Sequence, residues 1–196
     1  NLAIEYFREQ VDEVIDEIVK AKPRMLGFSL NLNNTCMVHE VIKGVKKRLP
    51  DVLVLVGGYA FYSHQLSLAR SSDLYDYVIV GEAEYSLPPL IKKLKESFKT
   101  GDYPKDLPGI LSKFDTPDRK FGKMPNVSDL SNQPFPRYEW VPYKFYATYD
   151  NNHTVPTCTS RGCSWSRCKF CCETAKYYYR DPVEFVDELE WHVNQG

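Results

Sequence analysis

The run "DVLVLVGG" at residues 51–58 constrains the fold more than any other stretch of the chain. Successive side chains of a strand point to opposite faces. An unbroken apolar run therefore leaves neither face for water, which marks an inner strand of a parallel sheet covered on both sides. "YDYVIVGE" (75–82) repeats the pattern, and "MLGFS" (25–29) is a shorter strand of the same kind. Between them the apolar spacing changes to that of helices. Ile4, Phe7, Val11, Val14, Ile15 and Ile18 predict a helix over 3–19, ended by "KPR". Val38, Val41, Ile42 and Val45 predict another over 37–49, and Leu87, Leu90, Ile91, Leu94 and Phe98 a third. A short helical stretch is expected near 64–70. Helix and strand alternate, so the first hundred residues read as a doubly wound α/β sheet.

Composition supports a packed core, with 43 % hydrophobic and 14 % aromatic residues. Lys and Arg number 25 against 26 Asp and Glu, for a net charge of −1, so there is no basic surplus of the kind a nucleic-acid surface needs. No apolar run approaches the roughly 18 residues of a membrane helix. Neither nucleic acid nor membrane is an expected partner. No export signal is evident, so a reducing, cytoplasmic setting is expected, and there clustered cysteines more often hold metal than pair as disulfides.

Beyond residue 100 the pattern changes. "GDYPKDLPGILSKFDTPDRKFGKMPN" suggests a small hairpin and "LSNQPFPRYEWVPY" is rich in Pro and aromatics, so 101–143 reads as a linker between an α/β domain (1–100) and a second domain (144–196). "HTVPTCTS" (153–160) has strand character. In "DPVEFVDELEWHVNQG", Asp181 is a good N-cap, Pro182 suits the first helical position and Glu184 completes a capping box. Val186, Leu189 and Val193 then share one helix face.

Between that strand and that helix runs "TSRGCSWSRCKFCCET" (157–172), with Cys158 at its front. Cys163, Cys168 and Cys171 are spaced by four and then two residues, with Cys172 immediately behind. Three thiols on one loop can surround a metal centre. Gly162 frees the backbone at the entry, and Arg161, Arg167 and Lys169 favour thiolate over thiol. A closed zinc site needs a fourth ligand, usually from another segment. Cys158 and His153 are the nearest candidates, while Cys172 diverges from its neighbour. An iron–sulfur cluster held by three cysteines leaves one iron open, which suits catalysis. Both readings stay open on spacing alone, beside a structural or oxidised role.

"SRGCSWSRCKFC" followed by "RDPVEFVDELEW" resembles the start of a radical S-adenosylmethionine (radical SAM) domain, although one extra residue stands in the first cysteine gap. "LPDVLVLVGGYAF" and "YDYVIVGEAEYSLPPLIKKL" resemble the cobalamin-binding domain fused to many such enzymes, and "LPGI" and "PFPRYE" its connecting region. The resemblance implies a cobalamin-binding-like domain followed by the first βα unit of an incomplete radical SAM (β/α) partial barrel. It implies a [4Fe–4S] cluster on Cys163, Cys168 and Cys171, with S-adenosylmethionine on the open iron and Phe170 beside its adenine. It also implies a corrinoid at the carboxyl ends of the strands, near Ser29, Gly57, Gly58, Tyr59, Gly81 and Glu82. Reductive cleavage of S-adenosylmethionine, methyl transfer through cobalamin, a small-molecule or peptide substrate, and an electron donor such as flavodoxin or ferredoxin are the functional implications. No Asp-x-His-x-x-Gly motif of the base-off cobalamin type occurs. Either the first strand and its loop precede residue 1, or the cobalt lacks a histidine ligand, or no cobalamin binds. His39 reads as a surface or packing residue, Cys36 as a small core or loop residue, and Tyr177, Tyr178 and Tyr179 as packing. The sequence is expected to be part of a longer enzyme and inactive by itself. The competing expectation is a non-catalytic α/β binding module with a zinc-stabilised cysteine loop.

Overall fold

The computed structural model describes residues 2–31, 33–61, 73–122, 127, 130–131, 133–139, 156–171 and 176–195. They divide into two compact units, residues 1–125 and 126–196.

In the first unit the elements run α1 (Leu2–Tyr6), α2 (Arg8–Ala21), β1 (Met25–Ser29), α3 (Thr35–Arg48), β2 (Leu53–Gly57), a 3-10 turn (Tyr59–Phe61), β3 (Tyr77–Ile79), α4 (Leu87–Thr100) and β4 (Ile110–Ser112). The described strands form one sheet in the order β1-β2-β3-β4. The first three are parallel, with Met25 opposite Leu53, Ser29 opposite Gly57, and Leu55 opposite Tyr77. The α/β sheet expected from the apolar runs is therefore present. Its fourth strand is a finding of the structure. Residues 110–112, read as part of a linker hairpin, instead pair antiparallel with β3, Ile79 facing Ile110.

Alternation along β2 and β3 sorts the core into two halves. Val54, Val56, Val78 and Val80 point to one face and pack with Val11 and Ile15 of α2 and Val41, Ile42 and Val45 of α3. Leu53, Leu55, Tyr77 and Ile79 point to the other and meet Leu90 and Leu94 of α4, with Ile110. At roughly 1.5–3 kcal/mol for each fully buried large aliphatic side chain, both faces contribute strongly. The continuous apolar run in β2 is thus explained by helices on both sides.

The helix ends follow local chemistry. Pro23 follows α2, whose C-cap Lys22 takes a left-handed conformation. Ser86 stands at the N-cap position of α4 without a side-chain cap hydrogen bond, prolines occupy the first turn, and Gly101 closes the helix at φ 77°. The expected single helix over 3–19 is broken at Phe7, which takes φ −101° and ψ 21° and starts α2 by accepting the Val11 N–H at 3.0 Å. The helical stretch expected near 64–70 lies outside the described residues.

One buried charge organises the amino edge of the sheet. The Asp76 carboxylate is 1 % exposed, accepts the Val54 N–H at 2.6 Å and Lys46 Nζ at 3.0 Å, and pairs with Lys113. These contacts tie the start of β3 to β2, α3 and the segment after β4.

The second unit holds β5 (Ser160–Arg161), β6 (Tyr178–Tyr179) and α5 (Pro182–Gln195). The two short strands pair antiparallel, Ser160 with Tyr179 and Arg161 with Tyr178. Of the strand expected over 153–160, residues 153–155 are outside the described set and 156–159 have no regular structure. The hairpin, rather than a long strand, leads into the cysteine loop. Asp181 caps α5 as expected, accepting the Val183 N–H at 2.8 Å. The helix is inverted relative to a simple amphipathic reading. Val186, Leu189 and Val193 are exposed, while Glu188 is fully buried.

Candidate functional site

Because β1, β2 and β3 are parallel, their carboxyl ends share one edge. Ser29, Gly57 and the segment from Val80 to Glu82 gather there, and the turns that follow shape the rim. After β1, Asn31 Oδ1 accepts the backbone N–H groups of Asn33 and Asn34 at 2.9 and 3.0 Å, and Asn34 Nδ2 donates to Ser29 O at 2.9 Å. Sequence reasoning did not single out these asparagines, although such a cluster after a strand is a turn signal. Leu30 N–H donates to Gly57 O at 2.7 Å, extending the β1–β2 ladder into the loops.

Two glycines on this edge do different work. Gly58 sits at φ 95°, and a Cβ there would stand 2.7 Å from Ser29 Oγ and 2.8 Å from Leu30 O. Its lack of a side chain lets the β1 and β2 loops touch each other. Gly81 sits at φ 83°, and among the described residues nothing lies within 4 Å of a Cβ position, so its backbone is open on that side. Gly81 is the position at which a bulky ligand could approach the chain closely. Gly57 is ordinary, since a Cβ would rest 3.5 Å from Ile79. Tyr59 is half exposed beside it, and Glu82 is partly buried in the turn after Gly81. The backbone of this edge fits a large planar ligand in one respect: an open, side-chain-free approach at Gly81.

The carboxyl edge is separate from the cavity of about 480 Å³ in the same unit. That cavity is lined by Asp73, Tyr75, Asp76, Lys113 and Arg119 at the opposite end of β3, where the polar groups serve the fold. Arg119 donates to Ile110 O at 3.1 Å and pairs with Asp115 at 3.0 Å. His39, on α3, meets the Tyr75 hydroxyl, and burial followed by the nearby Lys43 charge lowers its pKa from the ordinary value. This agrees with a packing role.

In the second unit β5 and β6 pair on either side of the cysteine-bearing segment. Arg180 N–H adds one more rung to Thr159 O at 2.9 Å. The four-residue gap after Cys163 is folded into a turn. Ser166 Oγ donates to Cys163 O at 2.8 Å, Ser166 N–H approaches Cys163 Sγ at 3.4 Å, and Ser166 takes φ 43°. Cys171 N–H donates to Cys168 O at 3.2 Å, so a second turn carries the other two thiols. Cys163 is partly buried, and Cys168 and Cys171 are exposed. Arg167 stacks over Trp165 at 5.7 Å, and Phe170 is 93 % exposed. Cys158 Sγ lies 3.1 Å from Ser160 O. His153 and Cys172 lie outside the described residues.

Among the described residues no three His, Cys, Asp or Glu side chains are gathered closely enough to hold a metal ion. The donor set still fits an iron–sulfur cluster chemically, since such clusters are held by cysteine thiolates and three lie on consecutive turns of one exposed loop. A cluster is also a larger body than a single ion, so its ligands stand further apart.

Residues 3–91 match the B12 binding domain family. That match lies within the first unit. The chain is 30 % identical over 165 residues to the hopanoid C-3 methylase of Methylococcus capsulatus, covering 81 % of this chain and 30 % of that protein. It is 25 % identical over 190 residues to the anaerobic magnesium-protoporphyrin IX monomethyl ester cyclase of Synechocystis, covering 94 % of this chain and 37 % of that one. The chain thus spans about a third of the length of these relatives. Its fold matches that of the cobalamin-dependent S-adenosylmethionine radical enzyme OxsB with a TM-score of 0.67 at 20 % identity, over 94 % of this chain and 25 % of that one. The resemblance to B12-domain radical SAM enzymes read from the two motif regions is borne out. No described helix is long and apolar enough to cross a membrane.

Proposed function

We propose that the chain is the corrinoid- and cluster-bearing part of a cobalamin-dependent radical SAM methyltransferase. The observation that carries the reading is the pairing of a B12-family unit, with an open backbone approach at Gly81, with a three-thiol loop in the same chain. When bound, the cluster supplies the electron that cleaves S-adenosylmethionine, and the corrinoid supplies the methyl group.

The chain's own residues hold and orient these groups. Cys163, Cys168 and Cys171 are the thiolate ligands, and Arg161, Arg167 and Lys169 supply positive charge on the same loop. Phe170, exposed and between two of these cysteines in sequence, would cover the adenine of S-adenosylmethionine. Ser29, Gly57, Gly58, Tyr59, Gly81 and Glu82 form the edge for the corrinoid, with Gly58 keeping the two loops together and Gly81 giving access. The substrate is a small molecule or a peptide, and the electron comes from a small donor protein such as flavodoxin or ferredoxin. The competing reading is a binding module with a zinc-stabilised cysteine loop, and metal analysis separates the two.

Size-exclusion chromatography with hydroxocobalamin tests the corrinoid half. Pigment should travel with the wild-type chain and be lost from the Gly81→Val variant. Pigment eluting only at the small-molecule volume would contradict it.

A further inference from the structure

A buried ion pair stands at the root of the cysteine loop. The Arg180 side chain is 7 % exposed and pairs with Glu188, which is 0 % exposed. The Phe135 ring lies 5.8 Å from the guanidinium and 5.9 Å from Trp191 of α5. His192 Nε2 stands 3.8 Å from the second Glu188 oxygen. The Tyr138 ring lies 5.2 Å from His192 and its hydroxyl donates to Pro156 O, and burial, then the Glu188 charge, raises its pKa. The "PFPRYE" segment, α5 and both sides of the loop root therefore meet around one charge pair.

The pair is a poor device for stability alone. Among the described residues, Arg180 Nε, Glu188 Oε1, Glu184 Oε2 and His192 Nε2 are buried with no hydrogen-bond partner. Buried ion pairs with unsatisfied atoms are commonly no better than apolar packing of the same shape, and removing one partner is strongly destabilising. What such a pair does supply is a defined geometry. Arg180 is also one residue past β6, and its own N–H makes the last rung of the ladder at the loop root. Cys163 lies two residues beyond the other end of that ladder.

We infer that Arg180 and Glu188 are positioning residues, which fix the root of the loop so that Cys163 meets the same centre as Cys168 and Cys171. The inference rests on the loop being a cluster site. Its test uses the chain reconstituted with iron and sulfide without air, as wild type, Arg180→Ala, Arg180→Lys and Glu188→Gln. Three readouts are taken: iron per chain, the electron paramagnetic resonance of the reduced cluster, and amide exchange over 159–161 and 178–180. In Arg180→Ala and Glu188→Gln the rungs should exchange about tenfold faster, iron should fall at least threefold, and the residual signal should broaden. Arg180→Lys should restore most of the iron, and far-ultraviolet circular dichroism should stay constant across the series. Wild-type iron content and line shape in Arg180→Ala would overturn the inference, whatever the exchange rates. If Arg180→Ala unfolds, Glu188→Gln, which keeps size and one acceptor, decides the question by the same criteria. A wild-type chain that takes up no iron removes the cluster reading instead, while exchange still reports whether the pair holds the loop root.

Discussion

The two units place their candidate chemistry on opposite kinds of support. In residues 1–125 a sheet buried on both faces presents backbone: the rim at Ser29, Gly58 and Gly81 owes its shape to turns and positive φ angles. In residues 126–196 the chemistry lies in exposed side chains on a loop with a two-rung base, and the buried groups nearby include the charged Arg180 and Glu188. The first kind of site is set by the hydrophobic core, and the second needs local polar contacts or its ligand to order it. Damage to the first unit should therefore appear as lost stability, and damage to the second as lost metal with the sheet intact.

The largest test of that contrast is Asp76→Ala. It strands two lysines and the Val54 N–H around a site that was 1 % exposed. Removing one member of a buried pair costs about 3 kcal/mol or more, here at the low end because Lys113 is half exposed. Urea unfolding followed at the sheet should show this, with iron uptake per folded chain unchanged.

Gly58→Ala comes next. A Cβ meets Ser29 Oγ and Leu30 O inside 3 Å at a φ of 95°, so a loss of about 2 kcal/mol is expected. Gly81→Ala meets nothing within 4 Å among the described residues and bears the strain of its positive φ, about 1 kcal/mol. The comparison sharpens on binding. Gly81→Ala should weaken hydroxocobalamin affinity more than its small stability loss would suggest, and equal effects on both would deny that the ligand approaches there.

The smallest effect is a pH dependence. His39 binds its proton less readily folded than unfolded, because of burial and then Lys43. The unfolded chain then carries more protons, so this contribution is present above the ordinary histidine value of about 6.5 and is lost as pH falls below it. Melting temperature should decline from about pH 7 to about pH 5, and His39→Gln should flatten that decline without altering the second unit.

Much of the first unit was legible because its signals are redundant. An apolar run such as residues 52–56 allows few environments, and the helical spacing in α4 agrees with its prolines at the first turn and its stop at Gly101. The break at Phe7 has no such marker, since its spacing continues the helical pattern. "GILS" is too short to declare its partner, so the antiparallel pairing of β4 depends on tertiary contacts. The cysteine spacing was plain, but the pair that braces the loop was not. Arg180 and Glu188 are eight residues apart and look like ordinary surface charges. Val186, Leu189 and Val193 advertise an inward face that the helix leaves exposed.

Iron and acid-labile sulfide analysis of the chain, reconstituted without air beside the Cys163→Ala, Cys168→Ala, Cys171→Ala triple variant, tests the central claim most directly. The account predicts about four of each per wild-type chain, with a broad absorption band near about 400 nm, and background values in the variant. A colourless wild-type chain carrying about one zinc, or equal iron in both proteins, would contradict it.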